Sequence, residues 1–348
     1  MELSLLVCPS CGAPLQPHAI KTVVVCKHCG ASVARGVSLV KSARFRRAFE
    51  AAQKEIAATE SDIAVVGRRY TLLGRVARGE SADVFLARES LRNGSAVLLK
   101  ILRNEADRDL VDRERVVLKS LATSRAKGTP YFTLLTPYVL GHGPASWRGA
   151  EIGEATVVRA TSGFVHTIAD VRAAFPSGAD PRHAVWIFKR MLELLSWIHE
   201  SGFVHGAILP QHVVLHVRGH GAMLVGFSCA TRVGEKPIAI APSHNQFYPD
   251  AVKSGAPLIP AVDLIMAARA VAYLVGASSS FSIPDSVPQP IAELLRWAGN
   301  AKPHDLKITA GEMLQKISEA ADAAFGPPHF VELRMPSWNE LEVDHGVR

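Results

Sequence analysis

The chain has 348 residues, of which 48% are hydrophobic and 20% are charged. That length suits two or three packed units, and that composition excludes disorder over most of the chain. The net charge of +7 is unevenly spread, because residues 1–70 hold ten Lys and Arg against five Asp and Glu. Four of the five cysteines also lie within the first 29 residues. The sequence therefore predicts a small basic head on a large, nearly neutral body.

The first residues of the chain lack the basic stretch and the long apolar run of a signal peptide. The longest apolar stretch, residues 261–276, contains Asp263 and Arg269 and falls short of the roughly 20 apolar residues that a membrane span needs. We therefore expect a cytoplasmic protein without a membrane partner. Closely spaced cysteines in that compartment favour metal binding over disulfides.

The head contains two cysteine pairs, Cys8 with Cys11 and Cys26 with Cys29. Two intervening residues in each pair allow one tight turn to direct both sulfurs at a single ion. Four thiolates complete a tetrahedral shell, so His28 is not expected to be a ligand. The spacing predicts one structural zinc ion, with a redox-active dithiol as the alternative.

The β-branched residues 22–25 predict a strand that leads into the second cysteine pair. Two cysteine turns joined by such a hairpin resemble a zinc ribbon, which covers residues 1–36. A core this small contributes little stability, so the metal supplies most of the free energy of folding. The head is thus predicted to fold around its zinc ion.

Residues 37–66 are predicted to be an amphipathic linker helix. Apolar residues recur at helical spacing within residues 42–60, and basic residues occupy most of the remaining face. A basic helix beside a zinc ribbon makes nucleic-acid binding through residues 1–60 one hypothesis. A solvated helix face explains the same charges, so this hypothesis is secondary.

Residues 70–100 alternate apolar and polar side chains around a turn at Gly79 and end at Lys100. A helix predicted over residues 109–121 then carries Glu114. This order resembles the N-lobe of protein kinases, with its glycine-rich loop, strand lysine and partner glutamate. The resemblance implies a vestigial nucleotide site at Gly79, Lys100 and Glu114, although alanines stand where the family has two further glycines.

The second half of the chain continues the same order. A helix begins at Asp180, the loop FVHGAILPQH follows it, and MLVGFS comes next. These segments resemble the catalytic loop and the metal-binding triplet of protein kinases. The resemblance implies an α+β, bilobal protein-kinase-like fold after the small β zinc ribbon. Its β-rich N-lobe covers about residues 67–160, its α-helical C-lobe about 161–325, and a tail covers 326–348.

The charged groups of kinase chemistry are missing from this outline. The family's catalytic aspartate corresponds to Ala207, and its metal-binding aspartate corresponds to Gly226. A lysine and an asparagine of the same loop correspond to Leu209 and His212. Without these groups a kinase fold cannot accept the hydroxyl proton or hold magnesium. The resemblance therefore implies a pseudokinase, for which ATP and magnesium are not expected; Leu98 also replaces a small residue over the adenine.

The hydrophobic framework of the family is, by contrast, kept. The resemblance implies a structural column of Leu118, His205 and Phe227 anchored by Asp263, in which His205 packs rather than acting as a base. Cys229 is predicted to be a buried, unreactive thiol.

A fold kept without its chemistry favours a scaffold or regulatory subunit that binds protein partners of unknown identity. The alternatives are a divergent nucleotide-binding kinase or nucleotidyl-transferase, and a nucleic-acid adaptor. Two interpretations of the C-terminal tail, residues 326–348, stay open: it packs on the C-lobe, or it docks in a partner's groove.

The purified chain should carry one zinc ion, measured by elemental analysis of the intact protein. The double variant Cys8→Ser/Cys11→Ser should lose the zinc, because two serines cannot complete a thiolate shell. The variant Cys229→Ser is the matched control and should retain the metal. A double variant that keeps one zinc ion per chain would contradict the predicted ligand set.

Overall fold

A computed structural model describes residues 62–78, 81–90, 96–278 and 281–336, together with two short strands of the head. These strands, β1 (Val23–Val25) and β2 (Ser32–Ala34), pair antiparallel with Val25 opposite Ser32. The strand predicted before Cys26 is therefore present. The remaining predictions for the head fall outside the described residues: the four cysteine ligands, the linker helix over residues 42–60, and the nucleic-acid contact. Gly79 also lies outside them.

The N-lobe is a closed antiparallel barrel of six strands, in the order β3-β4-β5-β6-β8-β7. Alternating side chains point into it, and the buried residues Val65, Leu99 and Val157 form part of its core. The strands are β3 (Asp62–Val65), β4 (Arg68–Arg78), β5 (Ala82–Glu89), β6 (Ala96–Leu102), β7 (Val139–Trp147) and β8 (Ala150–Arg159).

Strand β3 corrects the predicted boundary between linker and body. The linker helix was predicted to reach residue 66, yet Asp62–Val65 pairs with both β4 and β7 and closes the barrel. Ile63 and Val65 alternate into the core, as a strand requires. Val66 and Gly67 both have positive φ and make the two-residue turn into β4. That turn type matches the twist of antiparallel strands.

Two helices complete the N-lobe region, α1 (Arg108–Ala122) and the short α2 (Thr129–Phe132). Helix α1 covers the helix predicted over residues 109–121 and buries Leu118 and Leu121 on one face. At the far end of this region, Trp197 Nε1 donates to Thr129 Oγ1 at 2.9 Å. This buried hydrogen bond ties α2 to the C-lobe.

The C-lobe is mainly helical, with short strands beside the cleft between the lobes. The strands of the C-lobe are β9 (His166–Thr167), β10 (Phe203–Val204), β11 (Val213–His216), β12 (Gly221–Leu224) and β13 (Thr231–Arg232). Strands β9, β11 and β12 form one sheet, and β10 pairs with β13. Its helices are α3 (Ile168–Ala174), α4 (Pro181–Glu200), α5 (Asp250–Lys253), α6 (Pro260–Leu274), α7 (Gln289–Asn300) and α8 (Ala310–Phe325).

Helices α4 and α6 form the centre of the C-lobe. Helix α4 begins as predicted, because the Asp180 side chain accepts a hydrogen bond from the Arg182 amide and Pro181 occupies the first turn. Helix α6 is buried on nearly every face, Asp263 included. Within the ranges that the structure describes, no helix combines the length and apolarity needed to span a bilayer.

The first part of the C-terminal tail packs on the C-lobe. Phe330 stacks on His220 with ring centroids 4.2 Å apart, and His220 stacks in turn on Trp186 at 4.3 Å. His220 Nε2 donates to the Val331 carbonyl oxygen at 2.9 Å, and Leu333 is buried. Packing in cis therefore holds for residues 326–336, whereas residues 337–348 lie outside the described part of the chain.

Candidate functional site

The cleft between the lobes contains an ion pair from the N-lobe. Lys100 lies on β6, and its ammonium group contacts the carboxylate of Glu114 on α1. Both side chains are mostly buried, and the pairing neutralises both charges. The ion pair joins the barrel to α1, as expected for the strand lysine and the helix glutamate.

Asp263 anchors the chain segment on the opposite side of the cleft. This fully buried carboxylate accepts hydrogen bonds from the backbone amides of His205 and Gly206, each at 2.8 Å. His199 Nε2 donates to the same carboxylate at 3.0 Å. Three donors satisfy a charge that would otherwise be costly to bury. Helix α6 thereby fixes the start of the loop that follows β10.

His205 is a packing residue in this loop. Its ring lies edge-on to Phe227, with the centroids 4.5 Å apart. Its Nε2 donates to the Val225 carbonyl at 3.1 Å, and its Nδ1 accepts from the Ala207 amide at 3.3 Å. Burial lowers the pKa of His205. Both ring nitrogens are engaged in a neutral imidazole, and Leu118 belongs to the same buried cluster as Phe227.

His212 occupies the space beside Gly226. A Cβ atom placed on Gly226 would lie 2.7 Å from His212 Cε1, which is closer than real Cβ contacts allow. Gly226 also has a φ of +85°, a conformation that favours glycine. His212 Nδ1 donates to the Ala207 carbonyl at 2.7 Å, which holds the ring in place. The imidazole therefore leaves no room for a side chain at position 226.

The ring of His212 is uncharged at neutral pH. Burial, reinforced by the nearby His205, lowers the pKa of His212 to about 3. Because Nδ1 carries the proton that reaches Ala207, Nε2 is left as a neutral acceptor. The neutral Nε2 of His212 therefore lies beside Gly226, the residue predicted to correspond to the metal-binding aspartate of kinases.

A cavity of about 240 Å³ lies between the two lobes and includes these positions. Leu98 lines it from the barrel, and Ala207, Leu209, His212 and Gly226 line it from the C-lobe. The ion pair of Lys100 and Glu114 lines one side. The structure therefore brings the ion pair and the positions of the missing kinase charges around a single cavity, whereas His205, Phe227 and Asp263 do not line it.

Cys229 differs from its predicted environment. It is half-buried rather than buried, and it lines the cavity as the last residue of the short 3₁₀ turn Phe227–Cys229. No pattern in the sequence indicated that this thiol would line the cavity.

Arg269 is a positioning residue that the sequence alone did not identify. From α6 its guanidinium donates to the carbonyl oxygens of Tyr248 at 2.9 Å and Gly299 at 2.7 Å. It thereby fixes the end of the segment that runs from Gly226 to Asp250. An arginine within an apolar stretch was the available signal, because a buried guanidinium requires several acceptors.

The described residues contain no cluster of three or more His, Cys, Asp and Glu side chains arranged to bind a metal ion. Magnesium prefers oxygen ligands. In this cleft Gly226 has no side chain, Ala207 offers a methyl group, and His212 presents a nitrogen. The side chains at the expected magnesium positions therefore do not fit that ion.

Comparison with known proteins identifies solved structures that share this architecture. No protein-family model and no curated protein matches the chain. Among solved structures, the kinase domain of a Toxoplasma gondii specific rhoptry antigen aligns with a TM-score of 0.55 at 14% identity, covering 79% of this chain and 90% of that one. The PknI kinase domain of Mycobacterium tuberculosis aligns with a TM-score of 0.52 at 18% identity, covering 74% of this chain and 98% of that one.

The chain has a protein-kinase-like fold. At these identities the likeness extends to the fold alone. It supports the expected division into a β-rich and a helical lobe, around the cleft that holds Lys100, Glu114 and His212.

The fit between Gly226 and His212 predicts a measurable coupling. Gly226→Ala should cost about 1–2 kcal/mol for its left-handed backbone, and the collision with His212 should add about 1–3 kcal/mol. In a His212→Ala background only the backbone cost should remain. Urea denaturation of the four proteins in this cycle gives the coupling free energy.

Gly255→Ala provides the matched control for this cycle. Gly255 also has positive φ, at +80°, but nothing lies within 4 Å of its Cβ position. Its substitution should therefore report backbone strain alone and show no coupling to His212→Ala. Equal costs of Gly226→Ala in both backgrounds would contradict the described packing.

Proposed function

We propose that this protein is a catalytically inactive kinase-like protein, a pseudokinase, that acts as a scaffold or regulatory subunit in a protein assembly. The observation that carries the proposal is the neutral imidazole of His212 in the space beside Gly226. Kinase catalysis depends on metal ions and a positioned base rather than on covalent chemistry of the protein. Removing those charges therefore removes the reaction while leaving the fold.

The framework residues support the same proposal. Asp263 holds the loop of His205 by backbone hydrogen bonds, and His205 packs on Phe227. None of these contacts requires a nucleotide or a metal. Because Ala207 stands at the centre of this loop, these contacts maintain the conformation of the loop without supplying a catalytic group.

Exposed apolar side chains support a role in protein binding. Tyr131, Leu134, Tyr138 and Leu140 are 39–56% exposed, and they lie along residues 131–140, from α2 to the start of β7. Exposed apolar surface is typical of sites that contact other proteins. Residues 131–140 thus offer an exposed apolar contact region.

The zinc ribbon is proposed as a second contact to a protein partner. Cys8, Cys11, Cys26 and Cys29 would hold one structural zinc ion, and β1 and β2 provide a hairpin around the second pair. We propose a cytoplasmic location, which agrees with thiols kept reduced for metal binding.

A divergent nucleotide-binding kinase or nucleotidyl-transferase is the second candidate. The formed ion pair between Lys100 and Glu114 favours it, because a lysine held in the cleft can contact phosphates. Against it, Leu98 lines the cavity and narrows the space for a base.

Purified protein incubated with labelled ATP, magnesium or manganese, and generic protein substrates should transfer no phosphate above the level of Lys100→Ala. The physical reason is that neither a general base nor an oxygen ligand for the metal stands at Ala207 or Gly226. An active kinase in the same assay is the positive control. Transfer that Lys100→Ala abolishes would overturn the proposed function and favour the nucleotide-dependent alternative.

A further inference from the structure

The cavity between the lobes has the size of a ligand site. Its volume is about 240 Å³. Apolar cavities of roughly 150 Å³ in proteins stay dry and accept benzene. This cavity is therefore large enough for a molecule of about two fused rings. The residues that line it determine which kind of molecule binds.

The two walls are apolar on facing sides. Val76, Val84 and Leu98 line the cavity from the barrel, and Leu209, Met223 and Val225 line it from the C-lobe. Such a lining stabilises a ligand mainly by removing apolar surface from water. Leu209 is the clearest contrast with an active kinase, because it places an isobutyl group where the kinase family has a lysine.

The charged groups on the lining are already partnered. Lys100 pairs with Glu114. Arg115 Nη1 donates to Asp112 at 2.7 Å, and the guanidinium of Arg159 stacks over the ring of Tyr138 at 4.2 Å from its centroid. Arg159 is the one described lining cation with no carboxylate partner, and because it is exposed to solvent its charge is screened and offers a buried anion little compensation.

The polar groups that remain are neutral or locally satisfied. Asp170 accepts hydrogen bonds from the amide and hydroxyl of Thr167 at 2.7 and 2.9 Å, as part of a helix cap. The His212 ring is neutral, and its Nδ1 is committed to Ala207. Among the described lining residues only the exposed Arg159 and the capping carboxylate of Asp170 lack a partner of opposite charge, so a charged ligand would lose its hydration for little gain.

We infer that the cavity binds an uncharged, predominantly apolar small molecule of about two fused rings in place of a nucleotide. The inference rests on the proposed function in one respect, namely that no nucleotide competes for this space. Binding would fill the gap between the barrel and the C-lobe and stabilise their closed arrangement. A ligand of this class would give the pseudokinase a way to respond to a small molecule without catalysis.

Three probes with the same ring system and different charges test the inference. The probes are 1-naphthalenemethanol, which is neutral, 1-naphthoate, an anion, and 1-naphthylmethylammonium, a cation. Isothermal titration calorimetry on the full chain should show saturable binding of the neutral probe. Each charged probe should bind at least tenfold more weakly, and the neutral probe alone should raise the melting temperature.

Ala160→Phe locates the binding. Ala160 lines the cavity and packs beside Leu98, so a phenyl ring there should fill the space and weaken binding at least tenfold. Ala150→Phe is the matched control, because Ala150 is exposed at the start of β8 and its substitution should leave the affinity unchanged. Circular dichroism and the melting temperature without probe confirm that both variants fold.

Three results would overturn the inference: no saturable binding of the neutral probe, equal or tighter binding of a charged probe, or binding that Ala160→Phe does not weaken. None of them bears on the pseudokinase proposal, which is tested by phosphate transfer. Transfer from ATP would instead overturn the proposed function whatever the probes show. The two failures are therefore distinguishable.

Discussion

The buried carboxylate of Asp263 is the contact on which the geometry of the cleft depends. Two backbone amides and one imidazole donate hydrogen bonds to this carboxylate, which has no access to water. Removing the carboxylate would leave its three buried donors unsatisfied, at about 1–3 kcal/mol each. This energetic demand fixes the loop of His205 on α6, and through His205 it fixes Phe227. The floor of the cleft is thus set by hydrogen bonds that have no part in phosphoryl transfer.

A fold supported in this way can lose its catalytic charges without losing its shape. Where a carboxylate would hold magnesium, the backbone turns at Gly226 and the ring of His212 fills the adjacent space. The neutral ring of His212 fills this space without the energetic cost of a buried charge or of an empty cavity. The same replacement of charge by apolar groups continues at Ala207 and Leu209. Under the proposed function, the cleft is a site for neutral, predominantly apolar ligands.

Sequence patterns predicted the parts of this arrangement that depend on periodicity and on fixed spacing. The barrel hairpin, α1 with Glu114, and α6 with its buried Asp263 all follow from apolar spacing together with the resemblance to kinases. Strand β3 was missed because Val66–Gly67 is a weak turn signal beside the usual Asn-Gly or Asp-Gly. A four-residue strand before it also resembles the end of a helix.

The packing of His212 against Gly226 was beyond sequence patterns for a different reason. The sequence shows which charged groups are missing, but not which side chain takes up the volume they leave. That outcome depends on a positive φ at one residue and on a hydrogen bond to the carbonyl of Ala207. The positions of Cys229 and Arg269 likewise depend on how the chain turns after Phe227 is buried.

The protonation state of His212 tests the central claim most directly, because the proposed absence of metal binding requires a neutral ring beside Gly226. Nuclear magnetic resonance of ring-labelled histidines, with the His212 signal assigned from a His212→Gln variant, follows this group alone. The account predicts that its shifts stay constant from pH 7.5 down to pH 5, since its pKa lies at about 3. A titration with a midpoint near the ordinary value of about 6.5 would contradict the account.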